Sequence, residues 1–153
     1  MMEIWFYHLT AQPLKKALPI LLERSIERGW TAVVQLSTPE RLSALDAFLW
    51  TYADETFLAH GTAADGDAEL QHVYLTTGPE NPNEAEIRFF IESARVAPVL
   101  DAGGAYARIV VMFDGNDEAE LQAARAQWKE LKARGLDLSY WQQDDNGGWS
   151  KKA

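Results

Sequence analysis

Residues 3–36 read EIWFYHLTAQPLKKALPILLERSIERGWTAVVQL and carry the strongest indication of architecture in the chain. The first seven, EIWFYHL, are almost continuously apolar, which predicts a strand buried on both faces. Apolar residues then recur at helical spacing as far as Gly29, which should end the helix. The segment WTAVVQL predicts a second buried strand, and the order of elements predicts parallel strands joined by a right-handed crossover. The apolar stripe of the helix consists of Leu14, Leu18, Leu21, Leu22 and Ile26.

The same alternation continues along the chain. Thr38-Pro39-Glu40 supplies a capping side chain, a first-turn proline and an early acid, so a second helix should begin there. Further strands are expected at residues 72–77, 86–91, 108–113 and 136–141, and further helices at residues 93–100 and 118–134. Together these elements predict a three-layer Rossmann-like α/β domain with a mostly parallel central sheet flanked by helices.

Two segments interrupt this pattern. Pro19 falls inside the first helix and should kink it or delay its start, because proline removes a backbone donor and clashes with the preceding turn. Residues 50–71 form a long irregular stretch, and loops of that length in a compact domain are usually functional or mobile.

Length and composition fit one domain. The chain has 153 residues, of which 47% are hydrophobic, enough to build one core. We expect a single α/β domain over residues 1–142 and a polar tail over residues 143–153 that frays. The chain has no cysteine, its first ten residues lack the marks of a signal peptide, and no apolar run reaches the roughly 18 residues of a membrane span. These features predict a cytoplasmic protein with no membrane association.

The sequence lacks the motifs of common catalytic and cofactor sites. There is no G-x-x-x-x-G-K-[ST] and no G-x-G-x-x-G after a strand, and the turns after the first two strands contain no glycine. The three histidines have no metal-ligand spacing, and there is no G-x-S-x-G elbow. We therefore predict no nucleotide site, no metal, no cofactor and no catalytic residue. The formal net charge of −9 also disfavours direct nucleic-acid binding.

Residues 121–134 (LQAARAQWKELKAR) carry four basic residues and one acid in this otherwise acidic chain. At about 100° per residue, apolar positions including Trp128 share one face of the predicted helix. Arg125, Lys129 and Lys132 form an adjacent basic stripe, with Trp128 at the seam. One interpretation is a core tryptophan beside a solvated basic face. The other is a docking site for an acidic peptide, with the bases holding carboxylates and the tryptophan edge holding an apolar group.

Three stretches resemble the chi subunit of bacterial DNA polymerase III holoenzyme. The first is the N-terminal strand with its Phe6-Tyr7 pair. The second runs from Arg41-Leu42 through Leu49-Trp50 to ETFLAHG (residues 55–61), similar to the family's R-L-D-x-x-L-W and S-F-[LV]-P-H. The third, ARAQWK (residues 124–129) through GLDL (residues 135–138), is similar to A-R-x-R-[YW]-K and G-x-x-L.

Order and spacing of these motifs agree over almost the whole chain, with three departures. Ala59 stands where the family usually has proline, Trp128 stands where tyrosine is common, and the tail beyond Trp141 is longer and polar.

The resemblance implies a non-catalytic adaptor subunit that links the clamp-loader assembly to single-stranded-DNA-binding protein. It implies that Arg125, Trp128 and Lys129 bind the acidic C-terminal tail of that protein, with Lys132 nearby. It also implies that Trp50, Phe57 and Leu58 contact a small psi subunit or an equivalent clamp-loader component. For Trp50, burial at a helix end is an equal alternative.

A second class of function stays open at this stage, a small-molecule or nucleotide-binding α/β enzyme. A pocket with converging polar groups at the carboxyl ends of the strands would favour the enzyme. An exposed tryptophan beside Arg125 and Lys129 would favour the adaptor.

Overall fold

The computed structural model describes residues 2–52, 58–146 and 148–153. Within these ranges eight strands form one sheet, and four α-helices pack on it. The strands are β1 (Glu3–Leu9), β2 (Ala32–Gln35), β3 (Gly61–Thr62), β4 (Val73–Thr76), β5 (Ile87–Phe90), β6 (Arg108–Asp114), β7 (Leu138–Gln143) and β8 (Trp149–Lys151). The helices are α1 (Leu14–Glu27), α2 (Pro39–Thr51), α3 (Ala97–Asp101) and α4 (Glu118–Ala133).

The sheet has the strand order β3-β4-β2-β5-β6-β1-β7-β8. Every neighbouring pair from β3 to β7 is parallel, and β8 alone pairs antiparallel, with β7. Parallel strands need long crossovers, and a helix lies in four of them, between β1 and β2, β2 and β3, β5 and β6, and β6 and β7, whereas residues 77–86 join β4 to β5 without one. The predicted three-layer Rossmann-like α/β architecture with a mostly parallel sheet is therefore confirmed.

The sheet separates two hydrophobic clusters, one on each face, and strand β1 contributes to both. Because successive side chains point to opposite faces, Tyr7 and Leu9 pack with the apolar stripes of α1 and α2, while Ile4 and Phe6 pack with α3 and α4. All four are buried, as the continuous apolar run predicts.

The first helix begins at Leu14, so the expected late start is wrong, although Pro19 does lie inside it. The backbone N–H groups of Lys16 and Ala17 both donate to the Pro13 carbonyl at 3.0 and 3.1 Å, so the first turn closes before the chain reaches Pro19. The second helix begins as predicted, with Thr38 accepting a hydrogen bond from the Arg41 backbone N–H at 3.2 Å.

The segment over residues 143–153, for which the sequence predicts fraying, contributes a strand to the sheet. Trp149–Lys151 pairs with Trp141–Gln143, and the Asp144 carboxylate accepts backbone hydrogen bonds from Asn146 and Gly148 in the connecting turn. The Trp149 ring stacks on the Tyr7 ring with centroids 4.4 Å apart. Ring stacking and ladder hydrogen bonds together hold the segment against the sheet.

The region after α2 also contains regular structure. Strand β3 adds to the edge of the sheet beside β4, and single turns of 3₁₀ helix follow at Ala63–Asp65 and Ala68–Leu70. The Thr62 and Asp65 side chains form a capping box at the first of these turns. None of the helices in the described ranges is both long enough and apolar enough to cross a membrane.

Candidate functional site

Helix α4 is oriented by one buried polar side chain. The Gln127 side-chain oxygen accepts a hydrogen bond from the Val96 backbone N–H at 2.9 Å, and its amide nitrogen donates to the Ala94 carbonyl at 3.1 Å. The buried face of the helix consists of Ala124, Gln127 and Leu131. At its N-terminus, the Asp117 carboxylate accepts a hydrogen bond from the Glu120 backbone N–H. Because Gln127 faces the core, Arg125 and Lys129 lie on the outer side of the helix, and both are exposed.

An open cavity of about 630 Å³ lies between α4 and the ends of β6 and β7. Three of the four basic-stripe and tryptophan positions predicted from the sequence line it together, namely Arg125, Trp128 and Lys129. Lys132 does not line it, and its Nζ stands 5.6 Å from the centroid of the Trp128 ring. The remaining wall includes Phe113, Gln122, Ala124, Ala126, Tyr140 and Ala153.

Trp128 belongs both to the core and to the cavity. Its ring meets the Phe6 and Tyr140 rings edge to face, with centroids 5.2 and 5.8 Å away. The side chain is half-buried, and its remaining surface contributes to the cavity wall. The ring therefore lies partly in the core and partly at the cavity wall.

The charges of the cavity are unbalanced. Within residues 2–52, 58–146 and 148–153, neither Arg125 nor Lys129 has a carboxylate within 4.0 Å, whereas Arg95 and Arg134 pair with Glu130 and Asp101. A cavity that combines unpaired cations with the Phe113 and Trp128 rings can accept an anion attached to an apolar group.

His8 and Tyr140 form a hydrogen-bonded pair behind this cavity that sequence reasoning missed. The His8 Nδ1 lies 2.6 Å from the Tyr140 hydroxyl, and the imidazole stacks on Phe113. Burial lowers the pKa of His8, the nearby Arg125 guanidinium lowers it further, and Asp114 opposes them. Burial raises the pKa of Tyr140, and Arg125 opposes that shift. The sequence offered the position of His8 on β1 but no signal that β7 would lie beside it.

At the carboxyl end of β1, Gln143 holds the backbone that follows the strand. Its side-chain oxygen accepts hydrogen bonds from the backbone N–H groups of Ala11 and Gln12 at 3.1 and 2.7 Å, and its carbonyl accepts from the Thr10 hydroxyl at 2.6 Å. In dinucleotide-binding folds, backbone N–H groups at this point hold phosphate. Here Gln143 engages the N–H groups of Ala11 and Gln12, which disfavours a phosphate site after β1.

The described ranges contain no cluster of three or more His, Cys, Asp or Glu side chains that could hold a metal ion.

The second predicted surface lies at the end of α2. Trp50 is 51% exposed, and its ring centroid is 4.5 Å from that of His60. Leu58 is only 2% exposed and belongs to the core, so it would support this surface from beneath rather than contact a partner. Phe57 lies outside the described residues.

His60 anchors the chain beneath Trp50. Its side chain is fully buried, with Nδ1 2.8 Å from the Leu58 carbonyl oxygen and Nε2 3.2 Å from the Asp46 carbonyl oxygen. These contacts fasten His60, whose ring lies beside that of Trp50, to α2 and to Leu58.

Comparison with known proteins gives one consistent result. A family model described as DNA polymerase III chi subunit, HolC, matches residues 1–139. A curated protein named probable DNA polymerase III subunit chi, from Rickettsia prowazekii (strain Madrid E), is 26% identical over 117 residues, covering 74% of this chain and 71% of that protein. The matched residues include α4 and the cavity-lining Arg125, Trp128 and Lys129.

Proposed function

Since the chain belongs to the DNA polymerase III chi subunit family, a family of replication accessory subunits, we propose that it is a non-catalytic adaptor of the bacterial cytoplasm. It links the clamp-loader assembly to single-stranded-DNA-binding protein by binding that protein's acidic C-terminal tail. Recognition is through protein and not through DNA, because the chain carries a net charge of −9.

One observation carries this proposal. Arg125 and Lys129 lie beside the Trp128 edge in an open cavity, and in the described part of the chain no carboxylate pairs with either of them. An acidic tail with an apolar end group matches this arrangement. Its carboxylates would accept charge-assisted hydrogen bonds from the two cations, and its apolar group would pack between Trp128 and Phe113.

Isothermal titration calorimetry with the tail peptide of the cognate single-stranded-DNA-binding protein tests the site. Arg125→Ala should weaken binding by about 1.5–3 kcal/mol, because it removes a hydrogen bond between charged groups, while the melting temperature stays almost unchanged. Arg134→Ala is the matched control. It removes the same charge just beyond the end of α4, where Arg134 pairs with Asp101 away from the cavity.

The control variant should bind like wild type. Wild-type affinity should fall as salt rises, because the cations are near the surface and are screened. Equal binding by Arg125→Ala and wild type at low salt would show that the tail binds elsewhere.

A psi subunit or an equivalent clamp-loader component would bind at Trp50 and Phe57. The 51% exposure of Trp50 beside the buried His60 ring supports this part of the proposal, since tryptophan is enriched among interface hot spots. Trp50→Ala and Phe57→Ala should each abolish co-purification with that component while leaving tail-peptide binding intact. Loss of the native circular dichroism spectrum in either variant would instead assign that residue to the core.

A further inference from the structure

A second basic cavity lies on the opposite face of the sheet from α4. It has a volume of about 230 Å³ and opens between the end of α1 and the amino ends of β5 and β6. Arg24, Arg28 and Arg108 all line it. In the described ranges, Arg24 and Arg28 have no carboxylate within 4.0 Å, and Arg108 has one, with Nη2 3.3 Å from the half-exposed Glu3 carboxylate.

Tryptophan rings position two of these guanidinium groups. The Arg108 guanidinium carbon lies 3.8 Å from the centroid of the Trp5 ring and 5.4 Å from that of Trp30. The Arg28 guanidinium carbon lies 4.1 Å from the centroid of Trp30. Stacking occupies the flat faces of a guanidinium and leaves its N–H groups, which lie in the plane of the group, directed outward.

An unpaired donor lies within this cluster. The Arg108 Nε is buried from solvent and has no acceptor among the described residues. Buried N–H donors are nearly always paired, so an orphan beside a cavity is consistent with a missing acceptor. The Tyr7 hydroxyl adjoins the same charges. Burial raises the pKa of Tyr7, and the Arg108 and Arg24 guanidinium groups oppose that shift.

The floor of the cavity is apolar and consists of Ile87, Phe89 and Val110. We infer that this cavity is a second peptide site, for an acidic protein segment whose apolar side chain enters the floor while flanking carboxylates bind Arg24, Arg28 and Arg108. Single-stranded nucleic acid fits less well, because base stacking needs free aromatic faces. The guanidinium carbons of Arg28 and Arg108 both lie within 5.4 Å of the Trp30 ring centroid. The Trp5 ring is covered by the Arg108 guanidinium, and its centroid lies 5.3 Å from that of the Trp141 ring.

The experiment uses ¹⁵N-labelled full-length protein carrying Arg125→Ala, so that the α4 cavity does not compete. Three probes are titrated while the indole N–H signals of Trp5 and Trp30 are followed by NMR. They are acetyl-Asp-Asp-Leu-Asp-Asp-amide, the neutral acetyl-Asn-Asn-Leu-Asn-Asn-amide, and a ten-nucleotide oligothymidylate. The acidic peptide should shift both indole signals saturably, and the other two probes should not.

Variants on α1 then test the assignment. Arg24→Gln with Arg28→Gln should reduce the affinity for the acidic peptide at least tenfold. Arg24→Glu, which leaves both stacked arginines in place, should reduce it comparably by charge reversal. Lys15→Gln with Lys16→Gln changes the charge at the other end of α1 and should stay within twofold of the parent.

Three results would overturn the inference. They are equal shifts with the neutral peptide, shifts with oligothymidylate in place of the acidic peptide, and a response confined to the Trp128 indole.

Discussion

Arg88 and Arg125 place the same guanidinium group in opposite surroundings. Arg88 is fully buried on β5, and each of its five N–H groups donates a hydrogen bond. Arg125 is exposed on α4 beside an open cavity, and the described part of the chain gives it no acceptor. The acceptors of Arg88 are the Gln35 side chain, the Gly78 and Glu80 carbonyls and the Tyr106 hydroxyl.

This difference in surroundings distinguishes an arginine that stabilises the fold from one that is available to bind a ligand. Burial lowers the pKa of Arg88, while Tyr106 and Glu80 oppose that shift, and the hydrogen bonds of the guanidinium offset part of the cost of burying its charge. The hydrogen bonds of Arg88 connect the turn at residues 78–80 to β2 and β5. Arg125 fastens no element of the described ranges, so its donors are available to a ligand. An arginine whose donors the fold leaves unused, beside a cavity, is the stronger candidate for binding.

The largest effect should come from removing the buried guanidinium. Arg88→Met leaves several buried acceptors without a donor, and we expect a loss of about 3–5 kcal/mol in the free energy of unfolding. Urea denaturation measures it, and the folded fraction should still bind the acidic tail peptide. A loss below about 1 kcal/mol would mean that water replaces the guanidinium, and the contrast with Arg125 would then fail.

Substitution of Trp128 should lower both the stability of the fold and the affinity for the peptide. Trp128→Ala removes the edge-to-face contacts with Phe6 and Tyr140, and we expect about 2–3 kcal/mol less stability, below the range for a fully buried tryptophan. Peptide binding should weaken by roughly 2 kcal/mol. Trp128→Tyr should retain most of both quantities in denaturation and calorimetry. If Trp128→Ala lowers stability alone, the ring is purely core.

A smaller effect should follow truncation after Gln143. This removes β8, the stack of Trp149 on Tyr7 and the Ala153 side of the α4 cavity. We expect a stability loss of roughly 1 kcal/mol and several-fold weaker peptide binding. Trp149→Ala in the full chain serves as a comparison that keeps the cavity wall. Unchanged peptide affinity in the truncated protein would show that residues 144–153 do not contribute to the peptide site.

The smallest effect concerns His8 and pH. Its pKa is lowered from the ordinary 6.5 in the folded chain, so the unfolded chain binds more protons between the two values. Stability should therefore fall as pH drops below about 6.5. A bound carboxylate peptide should raise the pKa of His8, because it neutralises Arg125.

By linkage, peptide binding should tighten by roughly two- to threefold between pH 7.5 and 5.5, where peptide carboxylates remain ionised. NMR titration of the His8 ring with and without peptide measures the shift. A His8 pKa that peptide leaves unchanged would place the carboxylates away from Arg125.

The local elements could be predicted because their signals are local. The apolar run in β1, the cap at Thr38 and the helical spacing around Trp128 each lie within one element, and each predicted element is found within a few residues of its expected position. Local spacing did not reveal that Gln127 belongs to the buried face of α4, because a polar side chain there is acceptable only with partners at Ala94 and Val96.

Sequence alone determined the α/β class, the parallel strands and the basic stripe beside Trp128, since periodicity and capping depend on near neighbours. Only the tertiary structure decided which arginine is structural, which residues wall the α4 cavity and which side chain engages the backbone N–H groups after β1. Each of these depends on partners brought together from distant segments, such as His8 with Tyr140, 132 residues apart, and Arg88 with Gln35, 53 residues apart. Hydrogen-bond satisfaction is a property of the packed chain, and composition and spacing carry no record of which distant group will meet a given donor.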